Sequence, residues 1–312
     1  MKGKVIQSTG SWYIVRTENG EEIACRIKGK FRLSKLKTTN PVAVGDNVEI
    51  DTETGLNTAI ISKIYDRKNY IIRQSARHRL KKHIIASNLD QALLIITFSQ
   101  PRTSLGFVDR FLLNTEMYDI PTTLVFNKQD IYSARDMAKY KDAKALYERL
   151  GYEVLLVSAM SGHNIEALKD LMKDKTSLIA GHSGVGKSTL INAIDSNLEI
   201  NTKEISTSSG KGQHTTTFAT LYELPLGGEI IDTPGIKNFG TVYLEPEEVG
   251  LYFREMCDKL QECKFSNCKH ISERNCAVKD AIRTGKIAIS RYENYLSILD
   301  EIESTNYWER DI

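Results

Sequence analysis

The segment Gly181–Ser188 constrains the fold of this chain more than any other segment. It reads GHSGVGKS and follows the apolar run Ser177–Ala180, so a buried strand, a glycine-rich turn and the start of a helix are expected in that order. The glycines let backbone N–H groups turn towards a phosphate, and the first turn of the helix favours an anion. The pattern predicts a phosphate-binding loop in an α/β domain. The residues assigned to it are Gly181, His182, Ser183, Gly184, Val185, Gly186, Lys187, Ser188 and Thr189.

Two side chains of this loop have separate roles. Lys187 places a positive charge beside the β- and γ-phosphates, and we count it among the catalytic residues. Ser188 offers a hydroxyl to the Mg²⁺ ion that accompanies a nucleoside triphosphate. The loop alone does not separate GTP from ATP, so the choice of base depends on a second motif.

The second motif is Asn127–Asp130, which reads NKQD and follows an apolar segment. The carboxylate of Asp130 can accept two hydrogen bonds from guanine N1 and N2, whereas adenine offers no matching pair of donors. The stem of Lys128 can cover the plane of the base, and Asn127 can connect this loop to the phosphate-binding loop. The motif therefore predicts GTP rather than ATP.

The two motifs stand in an unusual order, because GTPases ordinarily carry the phosphate-binding loop ahead of the base-binding motif. Here the base-binding motif comes first, although each motif follows a predicted strand. Ser158 and Ala159 close the strand after the base-binding motif, where GTPases place a backbone N–H against guanine O6. We expect an α/β domain with a mostly parallel sheet and a circularly permuted chain. Its predicted strands are Ala92–Phe98, Thr123–Phe126, Val154–Val157 and Ser177–Ala180, and two of its helices are Ala134–Leu150 and Asn164–Met172.

Two further segments are expected to respond to the γ-phosphate. Asp232–Gly235 reads DTPG after an apolar pair, so that Asp232 can hold Mg²⁺ through water and the Gly235 N–H can contact the γ-phosphate. Gly210–Thr217 reads GKGQHTTT, a glycine-bracketed polar stretch typical of a mobile switch loop. One of its three threonines should complete the Mg²⁺ coordination, and we assign Thr216.

Ile236 occupies the position where Ras-like enzymes carry a glutamine that orients the attacking water. Isoleucine has no polar group, so another residue must position the water. His214 is the nearest candidate for this catalytic role, because a neutral imidazole can accept a hydrogen bond from water. The alternative is that His214 is a solvent-facing histidine of the switch loop.

The first 66 residues alternate apolar and polar positions between glycine turns. About five short strands in this length predict a small β-barrel, for which the OB-fold is the best match. Lys28–Lys37 contains five basic residues and no acidic residue, and Asp66–His83 contains seven basic residues and one acidic residue. Such blocks are often solvated surface, but their position around a nucleotide site favours a polyanionic partner.

The C-terminal region carries four of the five cysteines, all within residues 257–276. A set of three cysteines and one histidine is typical of a closed, structural zinc site. The ligands assigned to it are Cys263, Cys268, His270 and Cys276. Cys257 and Cys25 are expected to pack as small apolar residues. The spacing of apolar residues predicts an amphipathic helix over Pro246–Lys259 and helical structure from Val278 to the end.

The order of these motifs resembles that of the circularly permuted GTPases. The His214–Thr217 switch, the N-terminal barrel and the Cys/His cluster are similar to those of the bacterial family of ribosome small subunit-dependent GTPase A, and the resemblance covers essentially the whole chain. It implies a GTPase that is stimulated by the small ribosomal subunit, acts late in maturation of that subunit, binds its rRNA when GTP is bound, and leaves on hydrolysis. It also implies one zinc ion per chain, Mg²⁺ with GTP, and an apolar residue at the position of Ile236.

We therefore expect a multidomain protein with three parts. Residues 1–66 form an RNA-binding N-terminal β-barrel (OB-fold), residues 67–240 form a central α/β P-loop GTPase domain that is circularly permuted, and residues 241–312 form a C-terminal, mostly helical zinc-binding domain. The sequence has no run of 18 apolar residues and no apolar export signal behind Met1. We expect a cytoplasmic monomer that binds GTP and GDP and has no membrane partner.

The permutation also predicts which region of the protein responds to GTP hydrolysis. Asp232–Gly235 leads directly into the zinc-binding region, so a shift that depends on the γ-phosphate can set the relative orientation of the two RNA-contacting domains. Two other functions stay open, a nucleotide-gated RNA-binding scaffold with incidental hydrolysis and a zinc-containing ATPase. Lys187, Ser188 and Asp232 argue against the first, and the NKQD motif argues against the second.

Overall fold

The N-terminal region is a five-stranded barrel. In the computed structural model of the chain, the described residues are 1–28, 40–52, 57–74, 82–195, 219–225, 227–232 and 244–309. The barrel strands are β1 (Lys2–Ser8), β2 (Tyr13–Thr17), β3 (Glu22–Ile27), β4 (Asn47–Thr52) and β5 (Thr58–Ile64). They pair in the order β1-β2-β3-β5-β4, and β4 closes the barrel against β1. Alternate apolar residues such as Val15, Ile50 and Ile61 fill the core, so the predicted barrel is confirmed.

A β-hairpin follows the barrel, in a segment where the sequence suggested only a basic surface. Its strands are β6 (Tyr70–Gln74) and β7 (Lys82–Ser87), which pair antiparallel. A buried carboxylate, Asp46, connects the barrel to this hairpin. It accepts hydrogen bonds from Arg67 Nε at 2.7 Å and Nη2 at 2.7 Å, and from Ser87 Oγ at 2.6 Å. The hairpin is thereby fixed against the barrel.

The central region is an α/β sheet with helices on both faces, as predicted. Its strands are β8 (Gln91–Ile96), β9 (Thr122–Phe126), β10 (Glu153–Leu156), β11 (Thr176–Ala180), β12 (Thr220–Glu223) and β13 (Glu229–Asp232). They lie in the order β10-β9-β8-β11-β13-β12, and the pairings are parallel except for β12 with β13. β12 also pairs with β1 of the barrel at Gln7 and Thr220, so that barrel and central sheet join into one eleven-stranded sheet.

Two helices cover each face of the central sheet. These helices are α1 (Leu105–Glu116), α2 (Ala134–Arg149), α3 (Ile165–Met172) and α4 (Lys187–Ile194). Residues of α1 and α2 pack with Leu94 and Ile96 of β8, whereas residues of α3 and α4 pack with Leu93 and Ile95. Successive residues of a strand point to opposite faces, so β8 is buried along its whole length.

The C-terminal region is helical, but its helices are shorter than the sequence predicted. Pro246–Tyr252 is a 3₁₀ segment, α5 covers only Arg254–Cys257, and extended backbone at Phe253 separates them. Later helices are α6 (Ala277–Arg283) and α7 (Ile289–Glu309). The single helix over Pro246–Lys259 is therefore wrong. A Cβ at Gly250 would lie 3.2 Å from His270 Nε2, so the 3₁₀ segment packs closely on the Cys/His loop.

The C-terminal helical segment is interrupted by a glycine. Gly285, with φ of 72°, lies between α6 and α7, so the helical pattern from Val278 onward is two helices. Cys25 is buried in the barrel as expected, and burial raises the pKa of its thiol to about 11. Cys257 is exposed, so its expected packing is wrong. Within the described part of the chain, no helix has the length and apolar character that a membrane span requires.

Candidate nucleotide-binding and metal sites

The predicted nucleotide-binding residues meet at one edge of the central sheet. Asn127 follows β9, Ser158 lies two residues beyond β10, Gly181 follows β11, and Asp232 ends β13. These strands are parallel, so their carboxyl ends lie at the same edge, where α/β folds bind their ligands. The structure thus brings together motifs that are separated by up to 105 residues in the chain, from Asn127 to Asp232.

Two glycines of the phosphate-binding loop are required by close contacts. Gly181 has φ of 144°, and a Cβ there would lie 2.5 Å from the carbonyl oxygen of Ile95. Gly186 has φ of 93°, and a Cβ there would lie 2.5 Å from Asn127 Nδ2. A larger side chain at either position would push the loop away from the neighbouring strand or from the base-binding motif.

Lys187 is folded into this loop. Its Nζ donates to the carbonyl oxygen of Gly181 at 2.8 Å and to that of His182 at 2.9 Å, and the residue is 7% exposed. Burial lowers the pKa of the Lys187 ammonium, and the negative charge of Asp232 opposes this. A phosphate in the loop would offer the ammonium a charged acceptor in place of two neutral carbonyl groups, and a bond between two charged groups is the stronger one.

Asn127 connects three of the motifs. Its Nδ2 donates to the carbonyl oxygen of Val185 at 2.9 Å, inside the phosphate-binding loop. Its Oδ1 accepts from the N–H of Ala159 at 3.3 Å. The first contact is the connection to the phosphate-binding loop that the sequence suggested. The second gives the Ala159 N–H, expected to face guanine O6, an acceptor within the protein.

Lys128 extends its side chain across the same space. It has φ of 65°, in the left-handed region, and its Nζ donates to the carbonyl oxygens of Gly184, at 2.8 Å, and Gln100. Burial lowers the pKa of the Lys128 ammonium, with Asp130 opposing. The aliphatic stem is thereby held between the base-binding motif and the phosphate-binding loop, where it can cover a base.

Asp130 and Ser158 form the polar end of the candidate base site. The Ser158 hydroxyl donates to Asp130 Oδ1 at 2.5 Å and accepts from the N–H of Ser161 at 3.1 Å. Ser158 is fully buried, whereas Asp130 is exposed. A buried serine therefore orients an exposed carboxylate, a role for Ser158 that its place in the sequence did not suggest.

Phe107 contacts the phosphate-binding loop although no sequence motif includes it. Its ring lies on that of His182, with centroids 3.8 Å apart and planes 31° from parallel. Burial, and then the charge of Lys187, lower the pKa of the His182 imidazole. The helical spacing of Phe107 predicted only a core position, because that pattern does not say which loop a core side chain reaches.

Ser188 and Asp232 are the described candidates for holding Mg²⁺. Both are buried, at 7% and 5% exposure, at the edge of the sheet where the phosphate-binding loop begins. A hydroxyl and a carboxylate are oxygen ligands of the kind that Mg²⁺ prefers, so the donor set fits. His214, Thr216, Gly235 and Ile236 lie outside the described residues, as do the rest of the Gly210–Thr217 segment and Thr233.

The four predicted metal ligands of the C-terminal region form one cluster. The candidate ligand atoms of Cys263, Cys268, His270 and Cys276 all lie within 4.8 Å of one another. Cys263 Sγ lies 4.0 Å from Cys276 Sγ and 3.8 Å from His270 Nδ1. Tetrahedral zinc with Zn–S distances of about 2.3 Å separates two sulfur ligands by about 3.8 Å. Donor set and spacing therefore fit a structural zinc ion.

The backbone around the cluster is held by two tyrosines of α7. The Tyr292 hydroxyl donates to the carbonyl oxygen of His270 at 2.7 Å, and the Tyr295 hydroxyl donates to that of Lys269 at 2.7 Å. His270 is fully buried with φ of 57°. Burial raises the pKa of the Cys276 thiol to about 12, so a bound cation would be needed to keep it as a thiolate at neutral pH.

The chain matches two family models. It matches the model described as RsgA GTPase over residues 64–242 and the model described as RsgA N-terminal domain over residues 2–61. A protein of Christiangramia forsetii named small ribosomal subunit biogenesis GTPase RsgA is 52% identical over 309 residues, which cover 98% of each chain. A protein of the same name from Flavobacterium psychrophilum is 50% identical over 307 residues, which cover 98% of this chain and 94% of the relative.

Two solved structures are similar over nearly the whole chain. The crystal structure of YjeQ from Thermotoga maritima has a TM-score of 0.74 and 37% identity, covering 96% of this chain and 97% of that chain. The crystal structure of YloQ, described as a circularly permuted GTPase, has a TM-score of 0.73 and 30% identity, covering 97% and 95%. The similarity thus includes barrel, central sheet and C-terminal region together.

Proposed function

The chain belongs to the RsgA GTPase family and is therefore a GTP-hydrolysing enzyme, and we propose that GTP controls its binding to the small ribosomal subunit late in the maturation of that subunit. The curated relatives are named for biogenesis of the small subunit. The main support for the nucleotide-binding site is the hydrogen bond from Asn127 to the carbonyl oxygen of Val185, which connects the base-binding motif to the phosphate-binding loop. In this proposal the GTP-bound protein binds rRNA, and hydrolysis releases it.

The proposed roles at the site follow from the side chains. Asp130, oriented by Ser158, accepts from the guanine N1 and N2 groups, and the stem of Lys128 covers the base. Lys187 turns from the loop carbonyls to the β- and γ-phosphates. Ser188, Thr216 and, through water, Asp232 would hold Mg²⁺, whose chemistry is to neutralise charge on the phosphates.

Three of the proposed roles belong to residues outside the described ranges. Gly235 contacts the γ-phosphate through its N–H, and Thr216 responds to the same phosphate as part of the switch segment. His214 accepts a hydrogen bond from the attacking water, a role that Ile236 at the position after Gly235 cannot perform. The roles of Gly235, Thr216 and His214 are thus proposed from the sequence motifs.

The C-terminal Cys/His cluster is proposed to hold one structural zinc ion. Cys263, Cys268, His270 and Cys276 would close its coordination shell, which leaves no position for a substrate. The zinc would tie the 3₁₀ segment and α6 to one loop. We propose this region, residues 241–312, and the barrel, residues 1–66, as the two rRNA-contacting domains on either side of the GTPase domain, residues 67–240.

Surface charge supports an rRNA contact by the barrel. The Arg26 guanidinium lies 4.0 Å from the centre of the Trp12 ring, and Lys63 lies 4.6 Å from the centre of the Tyr65 ring. Cations beside aromatic rings suit a ligand that has both phosphates and stacked bases.

We propose a cytoplasmic protein that acts as a monomer on the small subunit.

Turnover with different ribosomal components tests this function. We expect GTP hydrolysis to rise on addition of small subunits but not of large subunits or free RNA. In Asp130→Asn the guanine donors lose their charged acceptor, so GTP affinity should fall about 100-fold while ATP affinity stays low. Turnover that small subunits do not change would favour the alternative, a nucleotide-gated RNA-binding scaffold with incidental hydrolysis.

A further inference from the structure

Helix α1 is shared by two hydrophobic cores. On one side Phe107, Phe111 and Leu112 belong to the core of the central sheet. On another side Leu113 belongs to the core of the C-terminal region, together with Phe253. Buried side chains on both sides leave little freedom for a rigid helix to move independently. Any shift of α1 therefore changes the packing of both cores.

The first turn of α1 supports the phosphate-binding loop. Ser104 caps the helix, accepting from the N–H of Phe107 at 3.2 Å, and the Phe107 ring lies on His182 at a centroid distance of 3.8 Å. The carbonyl oxygen of His182 is one of the two that hold the Lys187 ammonium. The position of Phe107 therefore influences the position of the loop backbone around the phosphate-binding lysine.

A buried ion pair fixes the same turn of α1 to α7. Arg291 Nη1 donates to Asp109 Oδ1 at 2.6 Å, and the two side chains are 2% and 0% exposed. Asn294 Nδ2 also donates to Asp109, at 2.6 Å, and Tyr147 of α2 donates its hydroxyl at 2.6 Å. Fully desolvated charges with several donors permit one geometry, because any rotation leaves a charge unpaired.

The network continues from α7 to α5 and returns to α1. Glu255 of α5 accepts from Arg291 Nε at 2.6 Å and from Nη2 at 3.0 Å. Arg254, its neighbour, donates to Glu116 at the end of α1 at 2.7 Å and to the carbonyl oxygen of Gly151 at 2.9 Å. Asp109 within α1 and Glu116 at its end are thus bonded to α7 and α5, respectively.

We propose that α1 couples the C-terminal region to the phosphate-binding loop, with Phe107 as the positioning residue at the loop and the Asp109–Arg291 pair as the connection to α7. This route is separate from the one through residues 233–243 that the permutation suggests. The coupling adds to the proposed function and rests on its nucleotide site. A ligand on the C-terminal region and a nucleotide in the loop then change each other's affinity equally.

The first test measures GDP affinity with a fluorescent nucleotide. Phe107→Ala should weaken binding about five-fold, since the ring contact with His182 is lost. Phe107→Tyr keeps the ring and should bind like the wild type. Leu112→Ala removes a buried side chain of the same helix that belongs to the sheet core. It should lower thermal stability and leave the affinity unchanged; an equal loss in both alanine variants would overturn the role of Phe107.

The second test is a double-mutant cycle between the two ends of the connection. Asp109→Asn keeps the shape of the side chain and removes its charge, and we expect about three-fold weaker GDP binding. In the Phe107→Ala background the same substitution should not weaken GDP binding further, because the contact between α1 and His182 is already lost. Additive losses, or no loss in Asp109→Asn alone, would overturn the proposal.

A reciprocal measurement keeps the proposal testable if Asp109→Asn folds poorly. GDP should slow amide hydrogen exchange in α7 of the wild type, and this slowing should be absent in Phe107→Ala. Slowing that persists in Phe107→Ala would contradict the coupling. A wild-type chain that does not bind guanine nucleotides would instead contradict the nucleotide site, so failure of the proposed function is seen separately.

Discussion

Ser158 would act in the proposed guanine site through another residue. Its buried hydroxyl donates to Asp130 Oδ1 at 2.5 Å, so it fixes the direction of an exposed carboxylate before a base binds. Without it the carboxylate would sample several rotamers, and the N–H of Ser161 would lose its acceptor. This pairing of a buried donor with an exposed acceptor is the basis for a prediction about guanine binding.

Ser158→Ala should therefore weaken guanine nucleotide binding without changing the preference for guanine. We expect about ten-fold lower GDP affinity by fluorescence titration, because one charged hydrogen bond orders Asp130. Ser133→Ala is the matched control, since Ser133 caps α2 three residues after Asp130 and is not among the site residues. The control should lose about 1 kcal/mol of stability and keep its affinity. Equal affinity of wild type and Ser158→Ala would refute the orienting role.

The motif residues could be selected from the sequence because each motif is a short, local pattern. The glycine-rich turn at Gly181–Gly186 is contiguous in the chain, and the Cys/His spacing lets one loop supply all four candidate ligands. Phe107 and Arg291 could not be identified in this way. Their partners, His182 and Asp109, are 75 and 182 residues away along the chain, and contacts at such separations depend on how the helices pack.

Element boundaries failed where tertiary contacts replaced local preference. The apolar spacing over Pro246–Lys259 is helical, and its members Val249, Phe253 and Met256 are buried as expected. The backbone nevertheless leaves the helical region at Phe253, and a side chain at Gly250 would press on His270. The hairpin β6–β7 was missed since its basic residues suggested a surface and its apolar residues were too few to stand out.

The C-terminal elements should depend on zinc. Short 3₁₀ and α segments around the cluster cannot persist alone, and their shared core packs against a loop that the metal would close. Removing zinc with a chelator should unfold α5, α6 and the first turns of α7, as seen by loss of amide protection there. Cys276→Ser should lower zinc affinity more than about 100-fold.

Cys257→Ser is the matched control for the zinc prediction. Cys257 lies six residues before the first ligand and is exposed, so this substitution should change neither zinc content nor hydrogen exchange. Zinc content measured by atomic absorption decides the outcome. Wild-type zinc content in Cys276→Ser, or equal losses in both variants, would contradict the assignment of the cluster.

At the scale of the whole molecule, barrel and GTPase sheet share more than a connecting segment. β1 pairs with β12, and Lys4 of β1 forms an ion pair at 2.7 Å with Glu229 of β13. β12 and β13 lie in the chain between the two segments expected to respond to the γ-phosphate. The barrel therefore contacts the strands that connect these segments. The buried Asp46 attaches the barrel to the hairpin β6–β7, and Ile71 and Ala86 of that hairpin belong to the core of the central sheet.

Asp46→Asn should accordingly separate the unfolding of the barrel from that of the sheet. Asp46 is fully buried and Arg67 is 17% exposed, so loss of the charged bonds should cost about 2 kcal/mol. In a Trp308→Phe background Trp12 is the only tryptophan, and its fluorescence reports barrel unfolding in urea while circular dichroism reports the whole chain. The two transitions should coincide in the parent protein and in Asp51→Asn, whose carboxylate is exposed, and should separate in Asp46→Asn. Coincident transitions in Asp46→Asn would mean that strand pairing and apolar packing hold barrel and sheet together without the Asp46 bonds.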